Sequence, residues 1–263
     1  SPAAVGPVFS ATGSLNPSTI NLYIAGRVPV RNSHCSGSAW AMRAYSRSTS
    51  GVSWSGSTLK LTKRMSGQSG RFLGPVTATD ALIRSRNIPA VGVASRLTQP
   101  SFYEFLRRAG ISRMASERHY GLTLVLGGGE VSMEELARLY AMLGNDGRLA
   151  SVPWRKSDPE EVGTALLSPE AAFITRDMLR QNPRPDAGAL LVTGGPPVYW
   201  KTGTSWGFRD AWSAGLVGPY ALVVWMGNFD GSSNPALIGV EGAAPLFFDI
   251  VVGLLAAHRD LAE

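Results

Sequence analysis

The pattern of apolar and polar positions divides the chain into a strand-like start, a helical middle and a strand-rich end. INLYIAGRVPV, Ile20 to Val30, reads as strand, turn, strand with Gly26 at the turn. From Arg31 to Ser55 the chain is rich in Ser and Gly and shows no readable period. Three helix signals follow. SFYEFLRRAG starts behind Pro100 with Ser101 as N-cap and ends at Gly110. SMEELARLYAMLGNDG combines a capping box, Ser132 with Glu135, an apolar stripe at Leu136, Leu139, Tyr140 and Leu143, and Gly144 as terminator. SPEAAFITRDMLR offers Ser168 as N-cap and Pro169 at the first helical position. Beyond these, PVYWKT, DAWSAGLV and YALVVWMG, separated by GTSWGFR and GP, predict a three-stranded antiparallel meander. PLFFDIVVGLLAAH, apolar nearly all round, predicts a helix buried against that sheet. This order implies an α+β fold, an antiparallel sheet flanked by helices with an inserted, mostly helical subdomain. The expected arrangement is one domain over 1–263, its sheet part about 1–55 and 185–263 and its helical part about 56–184.

Composition narrows the function classes. The 263 residues, 44% of them hydrophobic, suffice for a substantial core. The net charge of +6 comes mostly from arginines scattered without a block of like charges. That argues against nucleic acid and leaves an anionic polymer or surface as a partner class. The single cysteine, Cys35, excludes an intrachain disulfide and a Cys-based zinc site, and His34, His119 and His258 share no ligand spacing. No metal or cofactor is expected. The start, SPAAVGPVFS, lacks the pattern of a signal peptide, and no run reaches the ~18 apolar residues of a membrane span.

Of the four lysines, only Lys60 has a serine three residues before it, in GSTLK. On a helix Ser57 and Lys60 share a face, so the amine can take the hydroxyl proton. A helix N-terminus stabilises a developing oxyanion there, and with a neighbouring cation such as Lys201 it lowers the lysine pKa toward that of a working base. Alone, GSTLK reads as an ordinary helix start. The second element is Ser85-Arg86-Asn87, a hydroxyl able to relay a proton to a leaving nitrogen beside an amide able to bind a carbonyl and orient Lys60. S-x-N recurs at Ser14 to Asn16 and Ser232 to Asn234, but only Ser85 lies between GSTLK and the third element. That element is Lys201-Thr202-Gly203-Thr204. Lys201 supplies positive charge, Thr202 and Thr204 offer hydroxyls to a carboxylate, and Gly203 lets a substrate backbone lie along the strand. The N–H groups of Ser57 and Thr204 are the expected oxyanion hole.

S-x-x-K, S-x-N and K-T-G in this order form the set of penicillin-binding proteins and class A β-lactamases. RFLGPVTATDALIRSRNIPAV, YGLTLVLGGGEVSMEELARLYAMLGNDGRL, LLSPEAAFITRDML and WKTGTSWGFRDAWSAGLVGPYALVVWMGNFDG extend the match. Together they resemble the transpeptidase domain of class A penicillin-binding proteins, most of all the 1C subgroup, over roughly Ser55 to Asp249. The 24 residues between Lys60 and Ser85 are fewer than that family carries there. The resemblance implies a β-lactamase/transpeptidase-like fold and a serine D,D-transpeptidase that β-lactams trap. By it, Ser57 is the nucleophile, Lys60 the base and Ser85 the proton relay, with Asn87, Lys201, Thr202, Gly203 and Thr204 binding substrate. The partners it implies are a stem peptide ending in D-Ala-D-Ala and an acceptor amine. It also implies a membrane-anchored parent at the outer face of the bacterial cytoplasmic membrane, whose glycosyltransferase domain and anchor lie upstream of this chain. The alternatives are a D,D-carboxypeptidase or serine β-lactamase using the same residues, and a penicillin sensor without turnover.

Other patterns carry less. GTSWG matches G-x-S-x-G, and Ser205, Asp230 or Asp249, and His258 follow the α/β-hydrolase order, but the following FRDAWSAGLVG reads as turn and strand where an elbow needs a helix. LVLGGGEVS, with the outline of a strand, glycines and a helix, reads as a structural turn, because Glu130 would repel a phosphate. Glu135 is assigned to the capping box and Glu134 to solvent, leaving no base to activate a hydrolytic water. His119 is expected to be a hydrogen-bonded structural histidine. Trp206 and Phe208 are expected at a cleft rim, Trp212 in the sheet core, and Arg209 with Asp210 as a local pair.

Overall fold

The computed structural model describes residues 10–11, 19–25, 52–55, 58–61, 74–151, 161–185 and 196–257. The chain divides into two compact units, one of residues 1–31 with 131–263 and the other of residues 32–130. In chain order the first unit begins with β1 (Ser10–Ala11) and β2 (Thr19–Ala25). The expected turn at Gly26 and the strand after it lie outside the described residues. The second unit holds β3 (Val52–Ser55), β4 (Thr58–Leu61), β5 (Val76–Thr77), α1 (Ala78–Ile83), α2 (Asn87–Ala94), α3 (Phe102–Arg108) and α4 (Glu117–Tyr120). The first unit resumes with α5 (Met133–Gly144), β6 (Arg148–Leu149), β7 (Thr164–Ala165) and α6 (Pro169–Leu179), and ends with β8 (Val198–Thr204), β9 (Asp210–Val217), β10 (Tyr220–Gly227) and α7 (Ala243–Ala257).

The sheet of the first unit runs β1-β2-β10-β9-β8 and is antiparallel throughout. Period two sorts its side chains cleanly. Trp200, Val217, Leu222 and Val224 meet Phe247, Phe248 and Val251 of α7, whereas Ala214, Leu216, Ala221 and Val223 meet α5 on the opposite face. α7 is thus the closing helix packed on the sheet that its nearly continuous apolarity predicts, buried along Ala244, Phe247, Phe248 and Val251 with Asp249 exposed. On the other face Ala137, fully buried, brings α5 onto the strands, with Leu136, Tyr140 and Leu143 packed around it. Glycine at 215 admits Phe247, whose Cζ would lie 2.9 Å from an added Cβ.

The helix starts follow the capping chemistry. Ser101 with Glu104 and Ser132 with Glu135 form reciprocal capping boxes, and Ser168 caps α6 with Pro169 in the first turn. The end of α5 differs from expectation. Gly144 is still helical and Asn145 is the C-cap; the chain then turns through Asp146 at φ 48° and Gly147 at φ 81°. Only a residue without Cβ fits at 147, because a Cβ there would meet the Leu167 carbonyl oxygen at 2.3 Å.

Candidate active site

The second unit carries the S-x-N element on a short scaffold. β4 pairs with β5, Thr58 opposite Thr77, and Thr77 then caps α1 by accepting the Asp80 N–H at 3.0 Å. Between α1 and α2 the chain turns at Ser85, exposed and at φ 52°, its N–H donating to the Leu82 carbonyl at 3.1 Å. A left-handed serine is uncommon and costly, and such conformations persist where the surroundings hold them. The turn places Asn87 as the first residue of α2, so the hydroxyl and the amide of the motif belong to one tight corner.

Lys60 corrects the sequence reading. It lies on β4, opposite Ser53 of β3, rather than on a helix. A strand from Thr58 therefore stands where a helix start was expected. The alternation of Leu59 and Leu61 with polar neighbours was the local strand signal. Ser57 lies outside the described residues.

The KTGT element is the C-terminal end of β8, the edge strand of its sheet. Which backbone groups face outward follows from two bonds. The Ser205 N–H donates to the Asp210 carbonyl at 3.0 Å, so Ser205 and, by alternation, Gly203 and Lys201 point their backbone groups at β9. Trp200, Thr202 and Thr204 point theirs the other way. In agreement, the Trp200 carbonyl accepts from Asn182 Nδ2 at 3.2 Å, while Trp200 Nε1 donates to the Asn182 carbonyl at 3.2 Å. The chain after α6 thereby covers the edge at Trp200, and the N–H and carbonyl of Thr202 and Thr204 lie along the edge beyond it.

Side chains alternate along this strand end, Lys201 on the face of Tyr199 and Thr202 and Thr204 on the face of Trp200. Lys201 Nζ donates to the Thr202 carbonyl at 2.7 Å, and burial lowers the Lys201 pKa to about 8, leaving it mostly cationic at neutral pH. Thr204 Oγ1 accepts the Gly239 N–H at 2.9 Å, which turns its own hydroxyl hydrogen toward a different acceptor. Gly203 is exposed, and a Cβ there would touch only Trp212 Cβ at 3.6 Å, an ordinary contact. The glycine therefore keeps the strand surface bare rather than relieving a clash within the chain.

Gly239 was missed from the sequence. A Cβ on it would meet the Gly203 carbonyl oxygen at 2.5 Å and Thr202 Cβ at 3.1 Å, so the segment before α7 backs the KTGT strand by direct backbone contact. The signal available was the glycine pair in IGVEG, which lies far from the motif in sequence.

The model of the penicillin-binding protein transpeptidase domain matches residues 39–240, spanning all three motifs. The chain belongs to that family. Among curated relatives it is 32% identical over 195 residues to penicillin-binding protein 1C of Escherichia coli, covering 73% of this chain and 25% of that protein. It is 31% identical over 194 residues to penicillin-binding protein 1A of Clostridium botulinum, covering 68% and 23%. The chain thus spans about a quarter of the length of these relatives. In fold it is similar to the crystal structure of penicillin-binding protein 1A from Haemophilus influenzae, with TM-score 0.60 and 20% identity over 76% of this chain and 39% of that one. It is also similar to PonA1 from Mycobacterium tuberculosis, with TM-score 0.58 and 20% identity over 73% and 59%. The α+β β-lactamase/transpeptidase fold expected from the sequence is the fold of this transpeptidase family.

Several neighbouring expectations resolve in this setting. Ser205 staples the hairpin after β8: its Oγ accepts the N–H groups of Asp210 at 2.8 Å and Arg209 at 3.2 Å, and β9, not a helix, follows. Asp210 takes the Trp225 indole N–H at 2.9 Å rather than pairing with Arg209. His119 is exposed and edge-on to Tyr120, ring centroids 5.0 Å apart, instead of the hydrogen-bonded histidine expected. LVLGGGEVS contains no strand; Gly121–Leu126 is a 3-10 helix, and Glu130 accepts the Tyr120 hydroxyl. Glu135 is occupied in its capping box. Among the described residues no group of three acidic, His or Cys side chains is placed to hold a metal, and no helix is long and apolar enough to cross a membrane.

Proposed function

We propose that this domain is a serine D,D-transpeptidase that cross-links peptidoglycan stem peptides at the bacterial cell envelope, on the outer face of the cytoplasmic membrane. Ser57 attacks the penultimate D-Ala carbonyl as Lys60 takes its proton. The scissile C–N bond breaks, terminal D-Ala leaves with a proton relayed through Ser85, and an acceptor amine resolves the ester to an amide, restoring the Ser57 hydroxyl. Asn87 binds the donor. Lys201, Thr202 and Thr204 hold its terminal carboxylate, and the N–H groups of Ser57 and Thr204 form the oxyanion hole. The observation that carries this reading is the end of β8: an edge strand with the Thr204 backbone directed away from β9, an exposed Gly203 and a cationic Lys201 suit an extended peptide with a terminal carboxylate. The capping role of Glu135 favours an amine over water as acceptor, and so a transpeptidase over a β-lactamase. β-Lactams, which place an acyl carbonyl and a carboxylate in the same relation, acylate the same serine.

The test is to incubate the protein with a stem pentapeptide ending in D-Ala-D-Ala, with and without an amine acceptor, and to follow D-Ala release and product mass. Release coupled to the cross-linked amide is expected. Release with only the hydrolysed tetrapeptide would make the domain a carboxypeptidase, and no release would make it a sensor.

A further inference from the structure

Ser213, in the middle of β9, is fully buried, and its Oγ has no hydrogen-bond partner. A buried hydroxyl left unpaired is costly and uncommon in native proteins, so its position asks for a reason. By register Ser213 lies between Thr202 of β8 and Val224 of β10, and its face of β9 continues with Ala211 and Gly215. Of these four neighbours only Thr202 is polar. The face they share packs on α7, where Trp200, Val224 and Phe247 belong to one apolar cluster.

The pairing of Ser213 with Thr202 sets two hydroxyls side by side. Because the Ser205 N–H bonds the Asp210 carbonyl, alternation makes Thr202 and Ser213 a non-hydrogen-bonded pair of the ladder. Side chains approach most closely in such pairs, with Cβ atoms about 5 Å apart, and Thr–Ser hydrogen bonds form across them. Thr202 is half-buried, so its side chain borders both the interior and the surface. Thr204, two residues along the same face, shows what a donor from behind does. The Gly239 N–H occupies its Oγ1, which leaves its hydroxyl hydrogen for an outer acceptor. That N–H is spent on Thr204, although Gly239 also closes on Thr202, where an added Cβ would stand 3.1 Å from Thr202 Cβ. We infer that Ser213 is the positioning residue of Thr202: a turn about χ1 lets its O–H donate to Thr202 Oγ1 and so directs the Thr202 hydrogen toward the donor's terminal carboxylate. This rests on the proposed transpeptidase reading, in which Thr202 binds that carboxylate. The chain from Ser213 through Thr202 strengthens the outer bond, since each hydrogen bond polarises the next. Both threonines of the motif are then backed from within, one by Gly239 and the other by Ser213.

The experiment measures second-order acylation of Ser57 by benzylpenicillin and by its methyl ester, which lacks the charge, using time-resolved mass spectrometry. The proteins compared are the native chain, Ser213→Ala, Ser213→Cys, Thr202→Val and the double variant Thr202→Val with Ser213→Ala. Ser213→Ala strands no partner and is expected to fold. The native protein is expected to prefer the acid. Ser213→Ala is expected to lower the acid-to-ester ratio about three- to tenfold, the worth of one hydrogen bond, and Ser213→Cys, with its weaker donor, by less. In the Thr202→Val background, loss of the Ser213 hydroxyl is expected to change the ratio no further. A role in packing alone would slow both compounds alike. An unchanged ratio in Ser213→Ala, or an equal fall in the Thr202→Val background, overturns the role of Ser213 alone. An adduct on Ser57 with no preference for the acid in the native protein overturns carboxylate binding at Thr202 and the role of Ser213 with it, and no adduct overturns the transpeptidase reading as a whole.

Discussion

Lys201 is the residue whose chemistry the structure constrains most. Burial lowers its pKa to about 8, from 10.5 for an unperturbed lysine. On the proposed reading the form that binds a carboxylate is the cation, present below that pKa and lost as pH rises through it. Second-order acylation by benzylpenicillin, which reports the free enzyme, is expected to fall above about pH 8, approaching tenfold per unit. Lys201→Arg, charged throughout this range, should show no such alkaline limb whatever its absolute rate. A stopped-flow pH profile of the two proteins checks this. A second residue-scale expectation concerns Asp210. Asp210→Ala strands the Trp225 indole N–H and should cost about 1–3 kcal/mol in thermal or urea unfolding.

At the scale of elements, the KTGT end of β8 is positioned from two sides, by the reciprocal bonds of Asn182 to Trp200 and by the close approach of Gly239. Gly239→Ala drives a Cβ into the Gly203 carbonyl, and if β8 binds the donor as proposed, a displacement of about 1 Å there is worth up to a hundredfold in rate. The variant is expected to lose penicillin acylation by about that factor while circular dichroism shows the fold retained. Elements with strong local chemistry were legible in the sequence. Ser101, Ser132 and Ser168 announced their helices, and period two announced β8 to β10. The failures came where another force competed. At Lys60 a motif spacing was taken for a helix although Leu59 and Leu61 alternate as in a strand. At Gly147 the need for a residue without Cβ comes from Leu167, twenty positions away, and no local pattern reveals that contact.

For the molecule as a whole, charge is divided unevenly. Residues 32–130 contain 13 Lys and Arg against 4 Asp and Glu, while the rest of the chain contains 12 against 15. The modest overall charge of +6 therefore hides a strongly basic unit, the one that contains Ser57, Lys60 and Ser85. Capture of an anionic acyl donor should accordingly slow several-fold as salt rises from about 0.05 to about 0.5 M, since screening shortens the reach of that field. The order of the three motifs made the family legible before any fold was known, because each triplet is common alone. The position of Gly239 against β8 was not legible, because it arises from contacts between distant parts of the chain. On the proposed reading, Ser57 is the nucleophile of a penicillin-acylated transpeptidase. Peptide mass spectrometry of the protein after incubation with benzylpenicillin tests it most directly. A lasting adduct on the peptide containing Ser57, absent from Ser57→Ala, is expected; an adduct on Ser205, or none at all, would overturn Ser57 as the nucleophile.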